Sequence, residues 1–148
     1  MTAPLLVFGW GNPSRGDDAL GPLCIEHLRS LSLDAARVEY QEDFQLQIEH
    51  ALDLVGRERV LLVDASLDCA APFEVTQLQP AYDAHLMSHA LTPAALLQVY
   101  AELRTEPPPP CTLLAIRAER FELGEPPSRA ALINLEAALR WAKAWLTD

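Results

Sequence analysis

The segment that most constrains this chain is LLVFGWGNPSRGDDALG, Leu5 to Gly21, where the spacing of apolar residues changes period across a glycine-rich turn. Leu5 to Phe8 is a short continuous apolar run, the pattern of a strand buried on both faces. From Ala19 onward the spacing becomes helical: Leu20, Leu23, Cys24, Leu28 and Leu31 fall on one face, and Pro22 stands in the first turn, where a missing N–H costs little. Strand, glycine turn and helix together open a βαβ unit.

The rest of the chain continues the alternation. Arg37 to Gln41 reads as a second strand, and QLQIEHALDLVG places Ile48, Ala51, Leu52 and Val55 on one helical stripe before the stop at Gly56. RVLLVDAS, Arg59 to Ser66, is the clearest buried strand and carries an acid near its end. PFEVTQLQ alternates Phe73, Val75 and Leu78, as an edge strand would. Thr92 followed by Pro93 marks a helix start, Pro107 to Pro110 ends that helix, and CTLLAIRA is the next strand. The last helix has Ser128 as its N-cap and a stripe of Leu132, Leu135, Leu139, Ala142 and Leu146. The order β-α-β-α-β-β-α-β-α predicts a three-layer α/β fold, a largely parallel sheet with helices on both faces. The proline run is not read as a boundary, because one strand and one helix cannot form a second core, so residues 1–148 are expected to form a single domain.

Ligands of such sheets gather at the carboxyl ends of the strands. Three polar clusters are expected there: Asn12 to Asp18 after the first strand, Asp64 to Asp68 after the third, and a loop with His85 and His89 after the fourth. Gly9 and Gly11 suggest a dinucleotide turn, but Ser14 occupies the third glycine position, and Asp17 and Asp18 place two negative charges where a pyrophosphate would sit. No G-K-[ST] is present either, which excludes a P-loop. A divalent cation reverses the electrostatic objection. Asp18, Asp64 and His89 offer a carboxylate–imidazole set suited to nickel, zinc or manganese, with positions left open for water or substrate. Each also has an ordinary reading: Asp17 or Asp18 as a helix cap, Asp64 as a turn cap, and His89 as a solvated loop residue.

Charge and cysteine content narrow the classes further. A formal net charge of −10 and a pI near 4.7 oppose nucleic acid or an anionic membrane as partner. Cys24, Cys69 and Cys111 have neither disulfide-framework nor zinc-ribbon spacing and read as reduced core thiols. No basic leader and no bilayer-length apolar run are visible, so the expected location is cytoplasmic.

The ordered set of motifs resembles the [NiFe]-hydrogenase maturation endopeptidases. In that family G-x-G-N is followed six residues after the Asn by an acidic metal ligand, a position filled by Asp18. A second aspartate at the end of an apolar strand is matched by Asp64 in VLLVDAS, and a histidine shortly before a helix by His89 in MSHALTPAAL. The resemblance spans essentially the whole chain and implies a twisted five-stranded sheet between helices. It implies an endopeptidase, with aspartates among its working residues, that removes the C-terminal extension of a hydrogenase large-subunit precursor after nickel insertion. Asp18, Asp64 and His89 would be both metal and catalytic residues. Nickel would be presented by the substrate, another divalent metal could replace it in vitro, and the enzyme would act as a monomer.

One departure is informative. Many members carry a D-G-G-T-x-G turn after the second strand, whereas this chain has YQEDFQLQIEHALDL, which resembles the subgroup acting on NAD-linked bidirectional hydrogenases. Asn12, Asp43, Gln45, Gln47 and His50 are therefore candidate substrate-recognition residues, the last four also readable as an ordinary amphipathic helix. Asp17 is a candidate for orienting a water or accepting a proton, against the alternative of an N-cap. Two other classes stay open at this stage: a non-proteolytic nickel-binding maturation chaperone and a nucleotide-binding regulatory domain.

Overall fold

The computed structural model describes residues 2–82 and 91–148. Its strands are β1 (Leu5–Trp10), β2 (Val38–Asp43), β3 (Arg59–Ser66), β4 (Phe73–Gln77) and β5 (Cys111–Arg117). The α-helices are α1 (Leu20–Arg29), α2 (Pro93–Leu103) and α3 (Arg129–Thr147), with 3₁₀ segments at Gly16–Ala19 and Ile48–Leu54. The five strands form one sheet in the order β2-β1-β3-β5-β4. All neighbours are parallel except β4, which runs antiparallel to β5 at the edge.

The central strands hold the layers together because both of their faces are apolar. Leu5 and Val7 of β1 with Leu61 and Val63 of β3 point towards α1 and α3. Leu6, Phe8, Val60 and Leu62 point the other way, towards α2 and the 3₁₀ segment at Ile48–Leu54. A fully buried leucine in such a layer contributes roughly 1.5–3 kcal/mol of transfer free energy. Thr92 and Ser128 cap α2 and α3 as the sequence predicts, accepting from the Ala95 and Ala131 N–H groups. All three cysteines are buried free thiols, with Cys24 and Cys111 pushed up to about 12 by burial.

Several expectations are corrected. The stripe at Ile48–Leu54 is not α-helical: i→i+3 closure brings His50, Ala51 and Leu54 inward and leaves Ile48 59% and Leu52 65% exposed. α1 stops at Arg29, so Leu31 lies beyond it and is partly exposed. In α3 Leu135, Leu139, Ala142 and Leu146 face inward as expected, but Leu132 turns outward, and Ala131 and Ala138 join the inner face, where their small side chains let the helix approach the sheet. Because β4 is antiparallel, its carboxyl end lies at the opposite pole from the ends of β1, β3 and β5, so the segment after it does not start beside the other two polar clusters.

Leu62→Ala is expected to lower the unfolding free energy by about 2–5 kcal/mol, and Val75→Ala on the edge strand by under about 1 kcal/mol, in urea titrations. Equal losses would contradict the central placement of β3.

Candidate functional site

The chain leaves β1 at Trp10 and turns at Gly11, whose φ is +146°. A Cβ there would stand 2.0 Å from the Asp18 backbone oxygen, so the turn can fold back on itself only with glycine at this position. Gly9 serves a second close approach, since its Cβ would meet the Gly21 carbonyl oxygen at 2.6 Å where α1 crosses β1. The fold-back places the Asn12 N–H against Asp18, donating to Oδ2 at 2.8 Å. Asn12 in turn accepts from the Ser14 N–H through Oδ1 at 2.9 Å, fixing the turn as its residue type suggests.

The adjacent aspartates face opposite ways. Asp18 lines an open cleft of about 410 Å³ at the carboxyl ends of β1 and β3, and Asp64 of β3 lines the same cleft. Asp17 has no exposed surface. Its carboxylate accepts from the Glu119 and Arg120 N–H groups at 2.7 and 3.3 Å and from both the N–H and the Oγ–H of Ser128. Asp17 therefore secures the start of α3 and the segment after β5, not the 3₁₀ turn it belongs to. Asp17 is not among the residues that line the cleft.

Electrostatics separate the two acids further. Burial would push the Asp17 carboxyl up, but the Ser128, Glu119 and Arg120 hydrogen bonds outweigh it and hold the group below the ordinary aspartate range. Asp64 is pushed up to about 7, chiefly by burial; the Ala65 N–H opposes this, and the charge of Asp18 adds to it. Two carboxylates thus share a cleft with unfavourable mutual repulsion, an arrangement that a divalent cation would relieve. Among the described residues no group of three or more His, Cys, Asp or Glu side chains is assembled to hold a metal.

His85 and His89 lie outside the described residues. Leu91, two residues after His89, lines the cleft. Asn12 and Gln45 line it as well. Asp43, Gln47 and His50 are engaged with one another: His50 accepts from the Gln47 N–H at 2.8 Å and meets Asp43 Oδ2 at 3.2 Å, with its ring 4.5 Å from that of Phe8. Arg15, Phe44 and Phe121 also line the cleft and were not singled out from sequence. Only Arg15 carried a signal, its place in the acid-bearing turn.

No protein-family model matches the sequence, and no curated protein matches it. Solved structures do. The hydrogenase maturating endopeptidase HybD from E. coli superposes with a TM-score of 0.76 at 22% identity, covering 97% of this chain and 91% of that one. The [NiFe] hydrogenase maturation protease HycI from Thermococcus kodakarensis KOD1 gives 0.72 at 21% identity, covering 99% and 94%. The fold is like that of the hydrogenase maturation proteases. The five-stranded, mostly parallel sheet between helices is shared along nearly the full length of each chain. No helix among the described residues is long and apolar enough to cross a membrane.

Asp17→Asn is expected to cost about 1–3 kcal/mol of stability near neutral pH by removing a charged acceptor from buried donors. The folded value lies below the unfolded one, so this stabilisation is complete above the ordinary aspartate pKa and is lost as pH falls through the folded value. The deficit of the variant should therefore shrink below about pH 4 in urea titrations. Asp64 has the opposite sign, its folded value lying above the unfolded one. Asp64→Asn should stabilise the metal-free protein, more at about pH 8 than at about pH 5, and equal gains would contradict the raised value.

Proposed function

We propose that the protein is an endopeptidase that removes the C-terminal extension of a nickel-loaded [NiFe]-hydrogenase large-subunit precursor. The observation that carries this reading is the meeting of Asp18 and Asp64 in one open cleft, at the carboxyl ends of β1 and β3, on a fold like that of the hydrogenase maturation proteases. The cleft is open to solvent, and its carboxylates suit a borderline cation.

In this reading nickel belongs to the substrate. Asp18, held by the Asn12 N–H, and Asp64, raised by burial and by its neighbour, are two of the groups that engage the metal, and His89 is the third. Leu91 on the cleft wall, two residues along the chain from His89, supports including the histidine. Bound nickel supplies Lewis acidity at the scissile peptide, while the chain's own contribution is to hold the carboxylates in register and leave one side of the cleft open. A precursor without nickel then lacks the cation that offsets the repulsion between the two acids. The segment from Tyr40 to Leu54, in place of a glycine turn, supports assignment to the subgroup processing NAD-linked bidirectional hydrogenases.

Incubation with the nickel-loaded precursor, followed by mass spectrometry of the large subunit, tests the reading. The wild type should release one C-terminal peptide. Asp18→Ala, Asp64→Ala and His89→Ala should each slow release by about a hundredfold or more. Undiminished cleavage by these variants would overturn the site assignment, and equal cleavage of nickel-free precursor would overturn the metal's role.

A further inference from the structure

Of the polar residues in the segment after β2, Gln45 is exposed on the cleft wall, while Asp43, Gln47 and His50 are engaged with one another. Asp43 and His50 bind each other, and Gln47 and His50 cap the 3₁₀ segment reciprocally. The segment also presents three large apolar side chains to solvent: Phe44 is 68%, Ile48 59% and Leu52 65% exposed. Three large apolar side chains projecting from nine consecutive residues form a ridge, and such a ridge on a folded surface marks a contact site.

Two observations define what covers it. First, the ridge is continuous with the cleft, because Phe44 is both its first residue and part of the wall beside Asp18 and Asp64. Second, the exposed charges interleaved with it are acidic: Glu42 and Glu49 are exposed and Asp53 half-exposed, in a chain of net charge −10. Of the nearby cations, Arg29 is paired with Glu42, Arg57 is turned inward onto Glu39, and Arg15 is exposed on the cleft wall, at the Phe44 end of the ridge and away from Glu49 and Asp53. The complementary surface is apolar with a lysine- or arginine-rich rim.

We infer that the Phe44–Ile48–Leu52 ridge docks the folded body of the same protein substrate whose C-terminal segment enters the cleft, through an apolar, basically rimmed patch next to the origin of that segment. This rests on the proposed endopeptidase reading. The ridge then sets affinity for the precursor while the aspartates act on the peptide, so recognition and cleavage are separable along one strip of surface.

The test compares wild type with Ile48→Ser/Leu52→Ser, two positions outside the cleft, in steady-state cleavage of nickel-loaded precursor. Both side chains are solvent-exposed, so far-UV circular dichroism and Tm should match wild type. KM should rise about tenfold or more with kcat retained, the signature of lost docking. A second variant, Glu49→Lys, should raise KM as well, and the KM of wild type should rise with salt. Unchanged KM in the double variant, with wild type active, would overturn the docking role while leaving the endopeptidase reading intact. No cleavage by wild type under any condition would instead overturn that reading. Sedimentation analysis covers the remaining occupant: a wild-type dimer that the double variant converts to monomer, with KM unchanged, would assign the ridge to a second copy of this chain and overturn the proposal.

Discussion

The organisation of the site depends on a buried carboxylate that does not line the cleft. Asp17 accepts four hydrogen bonds from residues more than a hundred positions away in sequence, tying the turn after β1 to the segment after β5 and to the first residue bound by α3. A charged acceptor without surface would be strongly destabilising unless its lone pairs were satisfied, and here they are. With residue 17 fixed inward, the fold-back at Gly11 and the Asn12 N–H leave residue 18 directed into the cleft. Two chemically identical neighbours thereby acquire different tasks: one supports the scaffold and the other is available to a ligand.

The cleft reverses that economy of charge. Asp64 is largely withdrawn from water, close enough to Asp18 for the two charges to interact, and is raised to about 7. The fold tolerates this unfavourable pair because the apolar strands around it, β1 and β3, supply the stability from both faces of the sheet. Asp17 and Asp64 thus stand in opposite electrostatic situations within one fold, the first satisfied by hydrogen bonds and the second desolvated and repelled by a neighbouring charge.

Much of this was legible in the sequence, for physical reasons specific to each element. Continuous apolar runs identified β1 and β3 because a strand buried on both faces has no polar side to show. Thr92–Pro93 and Ser128 marked helix starts because capping is local chemistry. The antiparallel direction of β4 was not legible, since alternation reports burial and not direction. The 3₁₀ character of Ile48–Leu54 was hidden because its apolar residues also fit a 3.6-residue stripe, and only tertiary contact selects His50, Ala51 and Leu54 for the interior. The division of labour between Asp17 and Asp18 was equally hidden, because the donors that capture Asp17 come from residues 119, 120 and 128. Asp18 and Asp64 were brought together as expected. In the segment after β2, the exposure of Phe44, Ile48 and Leu52 was not legible either, because apolar residues at helical spacing read as a buried stripe.

Asp17 and Asp64 occupy opposite electrostatic environments in one fold, with the charge of Asp18 acting on Asp64 across the cleft and Asp17 apart from both. Carboxyl ¹³C chemical shifts followed through a pH titration of the metal-free protein test it most directly. Asp64 should titrate near 7 and Asp17 below the ordinary aspartate value, and Asp18→Asn should lower the midpoint of Asp64 while leaving that of Asp17 unmoved. Ordinary midpoints for both Asp17 and Asp64, or an Asp64 midpoint indifferent to Asp18, would contradict it.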